Sequence, residues 1–355
     1  MPISINDYMN LIDQPGSLGL FRNLHRLNNL LKVFPVVEVG ALVVRGQQWK
    51  SLPVQGFRDL NESFTESTGK TEPVEDRLAI WGGKFSVDKA YGKLKRDPLY
   101  KDPAEQQYEM HTKSMDRGIS ENIFNGDIDD DPKGFEGLWK RFQVGDFPAD
   151  CVFPLSDVAT FYPRTDQASA QYFFEVLDHA MHQIGLFNVP EVGTVQGAIF
   201  TNQAGFLGFQ AAARLTGYSL YTRDLLGHTW TTYREVPIVD VGLQYDRATE
   251  IIGNEYESVG ETEDSTRIYV VRFAQADTVD WNSKEAQAQA VRAIENPGGD
   301  GLTIVQAGMF ERVDPVQALR TEEHGVEWIM GISHVGDSYC AAVLTDLSLS
   351  GELPD

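Results

Sequence analysis

The sequence predicts an α+β fold with helices packed on sheets, and three observations carry that expectation. Short apolar runs near both ends, VVEVGALVV at 36–44 and YCAAVLTDL at 339–347, have the length and composition of buried strands. One long helix with a single narrow apolar face is predicted at 102–125. Between 166 and 300, helical and strand-like segments alternate, which suits helices laid on a sheet.

Residues 4–32 read as an amphipathic helix, because Leu18, Phe21, Leu24, Leu27 and Leu31 recur at three- or four-residue spacing. Pro35 stops the pattern and the strand 36–44 follows. The stretch 45–76 is polar, rich in Gly, Ser and Thr, and too poor in apolar residues for a core of its own. Its ends are strand-like, so it is expected to form a long protruding β-hairpin; loops of this length are usually functional or disordered. RLAIWGGKFSVDKA (77–90) reads as two strand fragments around a hinge at Gly82 and Gly83.

The long helix has clear start and stop signals. Asp102 suits the N-cap, Pro103 the first helical position and Glu105 a capping box, while Asn125–Gly126 ends it. Tyr108, Met115, Ile119 and Ile123 line one thin face of a rod about 33 Å long. Such a helix lies across something and is not wrapped on all sides. After an acidic turn come helices at 166–185 and 203–216, the second closed by Gly217, with a strand GAIF (197–200) between them. Strands are expected at 234–242 and 267–273, with an acidic loop between, and a helix at 283–295. Residues 35–44 and 301–347 are expected to pair in a second, β-rich domain.

Charge narrows the function. Acidic residues outnumber basic ones 52 to 30, a formal net charge of -22. A protein that grips nucleic acid through phosphates needs clustered Lys and Arg, and no such block is present. The chain can enclose nucleic acid but is not built to cling to it. Cys151 and Cys340 stand far apart and read as reduced, packed thiols. MPISINDYMN has neither a basic nor an apolar leader region, and no apolar run reaches the roughly 18 residues that span a bilayer. A soluble protein, intracellular when made and without membrane contact, is expected.

Chemistry is mostly missing. Counting an EF-hand from Asp127 puts Pro132 and Leu138 where Gly and Glu are required, so Asp127, Asp129, Asp130 and Asp131 read as a solvated turn. Glu175, His179 and His182 share one helix face and could support a metal-dependent enzyme, but nothing obvious completes the site and His25, His111, His228, His324 and His334 lie elsewhere. They read more readily as surface or interface side chains. No nucleophile elbow, phosphate loop, dinucleotide fingerprint or CxxC occurs. No catalytic residue, metal ligand or cofactor is assigned. Trp49, Phe57 and Phe64 on the hairpin could stack on bases, yet Glu62, Glu66 and Glu72 accompany them, so a protein neighbour is the better partner. Trp49, Lys50, Phe57, Arg58, Glu62, Phe64 and Lys70 are therefore expected to make contacts between subunits.

The order of these parts resembles major capsid proteins of tailed bacteriophages. ESTGKTEPVEDRLAIWGGKFSVDK (66–89) is similar to that family's hairpin return, and NGDIDDDPKGFEGLWKRF (125–142) to its turn after the long helix. GAIFTNQAGFLGFQAAAR (197–214), REVPIVDVG (234–242), TRIYVVRF (266–273) and GVEWIMGISHVGDSYCAAVL (325–344) match later landmarks in order. The resemblance spans roughly residues 25–347. It implies the Hong Kong 97-type shell fold: an N-terminal arm at 1–33, a P-domain strand at 34–44 and an E-loop at 45–76. The P-domain would continue over 77–144 with the spine helix at 102–125, followed by an A-domain at 145–300 and P-domain return strands with the C-terminus at 301–355. It implies pentamers and hexamers of an icosahedral head enclosing double-stranded DNA, with a portal and separate scaffolding or decoration proteins as partners. The subunit would belong to the virion, and to the host cytoplasm during assembly. Some relatives fuse neighbours through a Lys–Asn isopeptide bond; Lys50 and Lys70 lie on the hairpin, but neither the acceptor Asn nor the catalytic Glu can be matched. An encapsulin-type nanocompartment, with the same fold and a protein cargo, is the alternative.

Overall fold

The computed structural model describes residues 28–51, 53–90, 103–155, 167–186, 196–218, 220–225, 228–244, 249–253, 265–274, 301–307, 311–317, 320–334 and 338–348. Two sheets and a projecting hairpin organise them. The first sheet holds β1 (Val36–Glu38), β4 (Ala79–Asp88), β11 (Thr303–Gln306), β12 (Glu311–Gln317) and β13 (Thr321–Ser333). β13 is its axis: β4 pairs along one side, β12 and β11 along the other, and β1 joins β11 in parallel. The second sheet runs β5 (Val152–Pro154), β14 (Ala341–Ser348), β10 (Ser265–Arg272), β6 (Gly197–Thr201), β9 (Val236–Asp240), β8 (His228–Tyr233) and β7 (Tyr221–Leu225). β2 (Val43–Ser51) and β3 (Lys70–Arg77) pair only with each other among the described strands.

α1 (Pro103–Asn125) ties the two sheets together. Tyr108, Met115, Ile119 and Ile123 are all buried, as their spacing requires. Near its start, Tyr108 packs edge-on against Phe85 of β4 at 4.9 Å, and its hydroxyl lies 3.1 Å from Nδ1 of His324 on β13. Near its end, Phe124 enters the core of the second sheet against Phe200 and Tyr269. α2 (Leu138–Val144) follows the acidic turn, and α3 (Gln167–Gln183) and α4 (Gln203–Thr216) pack on the second sheet through Phe173 and Phe209, 4.8 Å apart. Asn202 caps α4 by accepting a hydrogen bond from the Gly205 amide, and Gly217 closes it at φ +75°.

Several expectations change. Residues 36–44 do not form one strand: β1 ends at Glu38 and β2 begins at Val43, already in the hairpin. The two strand fragments expected around Gly82 and Gly83 are one strand. Both glycines lie within the unbroken strand β4, paired with Glu327 and Val326. A β-carbon on Gly82 would stand 2.5 Å from the Val326 carbonyl, and one on Gly83 would stand 2.9 Å from the His111 ring, so these positions lack side chains because neighbours approach closely.

The final strand is a second correction. Residues 301–333 return to the first sheet as expected, but β14 leaves it and inserts between β5 and β10 of the second. Ala341, Ala342, Val343 and Leu344 are wholly buried, and a continuous apolar run of this kind suits a strand covered on both faces. The hairpin β7–β8 was not anticipated, since TRD and HTWTTY show no apolar alternation. The strand expected at 234–242 starts at Val236 because Arg234 and Glu235, at φ 45° and 72°, make the tight turn from β8. The helix expected at 283–295, the Asp102 cap and most of the helix expected at 4–32 lie outside the described residues. Of that last segment, residues 28–34 form a turn that buries Leu30, Leu31, Val33 and Phe34.

Candidate assembly surface

The hairpin β2–β3 carries eight of its residue pairs in antiparallel register from Val43↔Arg77 to Ser51↔Lys70, with an irregularity between Trp49 and Ser51. Trp49 and Lys50 thus stand near the outer end of β2, and Lys70 opens β3. Residues 53–69 form the tip without regular structure. Its hydrogen bonds run between its own residues: Glu62 N–H donates to Asp59 O, Arg58 to Glu62 O, and Val54 N–H to Ser67 Oγ. The Arg58 guanidinium lies 5.1 Å from the centre of the Phe64 ring.

The tip is polar overall, yet it holds four large apolar side chains in water. Val54, Phe57, Leu60 and Phe64 each keep at least 65% of their surface in water. Covering one such side chain is worth about 1.5–3 kcal/mol, so four of them together form a surface with a strong tendency to be covered. A two-stranded hairpin alone is marginal, and this one gains nothing at its tip from its own subunit among the described residues. Arg45 and Glu75 pair across the strands at 2.9 Å, but both are well exposed and contribute little.

The root is built differently. Asp76, Arg141 of α2 and His334 beyond β13 are all buried. Arg141 Nη1 donates to Asp76 Oδ1 at 2.8 Å, and the His334 backbone N–H donates to Asp76 Oδ2 at 3.1 Å. The rest of the guanidinium fork donates to Ile332 O and Glu136 O, and Nη1 also touches the His334 ring. Burial alone would raise the Asp76 carboxyl; the charge of Arg141 and the bonds from Arg141 and His334 overcome it and hold the group well below the usual carboxylate range. These residues escaped the sequence reading, since 65 and 258 positions separate Asp76 from its partners.

The acidic turn is organised around a lysine. Lys140 Nζ reaches Asp127 at 3.0 Å and Asp129 at 2.6 Å. The hydrogen bonds to Asp129 and Asp127 raise the Lys140 ammonium, while the Asp129 backbone N–H, then Lys140, lowers the Asp127 carboxyl. Glu175, His179 and His182 sit on the exposed face of α3, where the His179 ring packs against Phe153. Among the described residues, no three His, Cys, Asp or Glu side chains converge as a metal site would need. Cys151 and Cys340 are buried thiols, not joined in a disulfide. No helix among the described residues is long and apolar enough to cross a membrane.

Residues 22–150 match the family model of the major capsid protein GP7, a span holding the hairpin, α1, the acidic turn and α2. No curated protein matches the sequence significantly. Solved structures share the fold over nearly the whole chain. An SrpI encapsulin from Synechococcus elongatus, solved as its holo complex, is 13% identical with a TM-score of 0.57, covering 92% of this chain and 89% of its own. The capsid protein of an empty GTA particle is 13% identical with a TM-score of 0.50, covering 90% and 89%. That of the native GTA particle is 11% identical with a TM-score of 0.50, covering 89% of each. The fold is the Hong Kong 97-type shell fold.

Proposed function

We infer that this chain is a major capsid protein of the tailed-phage type, a structural subunit that assembles with copies of itself into the head of a virion. The observation that carries the reading is the coincidence of the capsid-family match with the exposed hairpin: residues 22–150 contain the hairpin whose tip, among the described residues, leaves four large apolar side chains uncovered. Phe57, Arg58, Glu62 and Phe64 of the tip, with Trp49, Lys50 and Lys70 of the strands, are the proposed contacts to a neighbouring copy. The hairpin meets its ordering cost when it is laid over that neighbour. Contacts between unlike patches close into rings, giving pentamers and hexamers, and flexing of the same contacts closes the shell.

The enclosed material in this reading is double-stranded DNA, enclosed without sequence-specific binding, and the net charge of -22 disfavours a tight grip on its phosphates. A portal and separate scaffolding or decoration proteins complete the particle, which is built in the host cytoplasm. The reading assigns the subunit no reaction of its own. Electron microscopy of the expressed protein tests it: closed shells are expected, and removal of residues 50–70 should leave a folded subunit that forms none. Normal shells from the deletion would sink the role given to the hairpin.

The encapsulin neighbour, at a TM-score of 0.57, favours a second reading, a shell around a protein cargo. The content of particles purified from the native source separates the two. DNA supports the phage head and a packaged protein without DNA supports the nanocompartment.

A further inference from the structure

The ties that hold the hairpin to the body lie at its root. Val44 and Leu78 bury against Val305 in a small apolar cluster, and the Leu78 N–H donates to Leu42 O at 2.9 Å. Arg77 donates to Pro132 O at 3.1 Å. Gly331 of β13 lets the chain pass overhead, for a β-carbon there would stand 2.8 Å from the Arg77 carbonyl. An apolar contact of this size has no preferred direction and tolerates a tilt. The buried carboxylate does not.

We propose that Asp76, Arg141 and His334 are positioning residues that fix the direction in which the hairpin leaves the subunit. Through that direction they set the angle at which one copy reaches the next, and so the uniformity of the shell. This rests on the shell reading above. Each Asp76 oxygen accepts from a different element, Oδ1 from α2 and Oδ2 from the chain after β13. The Arg141 fork is itself held by Ile332 O and Glu136 O, so it cannot follow a moving carboxylate. Tilting the hairpin would leave a charge buried without its partner, with side chains only 3% and 1% exposed. A buried ion pair adds little net stability over apolar residues of similar volume, but breaking one is costly, so its main effect is to select one arrangement. Leverage makes the selection matter: the nine residues of β2 span about 30 Å, so a tilt of about 10° at the root displaces the tip by about 5 Å.

The test separates direction from stability. In the full chain, Gly56→Cys at the tip and Lys133→Cys on the body carry spin labels, and the width of the distance distribution is measured by pulsed electron resonance. One background replaces the cluster with apolar groups, Asp76→Leu, Arg141→Met and His334→Phe together. A second carries Arg141→Lys, which keeps the charge at Asp76 but cannot span Ile332 O and Glu136 O as well. We expect the width to at least double in both, with unlabelled particles varying in diameter or failing to close. An unchanged width and diameter spread would overturn the proposal. Should the triple replacement not fold, Arg141→Lys alone decides. If the unmodified protein forms no shells, the shell reading fails, while the width still tests the positioning role.

Discussion

Trp81 of β4 lies so close over Gly118 of α1 that a β-carbon at position 118 would stand 2.6 Å from the indole Cζ2. The glycine is one of the contacts through which the long helix seats on the first sheet. Alanine there would ordinarily favour a helix by about 1 kcal/mol. Here overpacking, about 1–3 kcal/mol, should win, so Gly118→Ala is expected to lower the melting temperature. Trp81→Phe should remove much of the penalty, and a double-mutant cycle should return a coupling of about 0.5–3 kcal/mol. Strict additivity would mean that the two residues do not contact.

Asp76→Asn leaves the Arg141 charge buried, and we expect a loss of about 3–5 kcal/mol in denaturant unfolding at neutral pH. The acid response follows from the sign of the shift. The folded-state carboxyl lies below its unfolded value, so its contribution is fully present above that value, about pH 4, and fades as pH falls toward the folded one. The difference in unfolding free energy between the parent and Asp76→Asn should therefore shrink below about pH 4. A constant difference down to pH 2 would contradict the assignment.

Asp116 of α1 should behave in the opposite way. Burial raises its carboxyl to about 6, against hydrogen bonding from Asn28 and the charges of Arg117 and Lys32. A folded-state value above the unfolded one means that the native state holds the proton more tightly. Stability should then decline as pH rises from about 4 to about 6 and level off above. Asp116→Asn should flatten that segment of the profile and raise stability at pH 7. An unaltered slope in unfolding experiments between these pH values would refute it.

Assembly should also read the net charge of -22. Repulsion between copies acts over the Debye length, which shrinks from roughly 30 Å at 0.01 M salt to 8 Å at 0.15 M. The proposed contacts through Phe57 and Phe64 would be apolar and little weakened by ions. Light scattering of the purified subunit should therefore show assembly improving from low to moderate salt, without DNA. A need for DNA and a steady decline with salt would identify phosphate contacts as the driving force instead.

What could be read before the structure was whatever sequence neighbours encode. The buried face of α1, from Tyr108 to Ile123, follows from spacing alone, and the hairpin follows from a polar stretch between strand-like ends. The Asp76–Arg141–His334 cluster could not be read, because single charged residues far apart carry no periodic signal. Gly82 and Gly83 suggested two strand fragments for a related reason: glycine marks a strand break and tight packing with the same letter, and the close Val326 carbonyl and His111 ring appear only in the folded chain. β14 is unmistakably a strand, but its neighbours β5 and β10 are chosen by burial on both faces, a property of the assembled sheet.

That placement has a consequence for biosynthesis. β14 separates β5 from β10, so the second sheet cannot close until residue 348 has left the ribosome. Pairing Val343 with Val152 joins segments nearly two hundred positions apart, and such non-local closure is slow. The hairpin β2–β3 is local and emerges early, yet the body that carries it is finished last. A nascent chain thus exposes Phe57, Leu60 and Phe64 before its own second sheet can close, and exposed apolar surface on an incomplete fold is prone to aggregate.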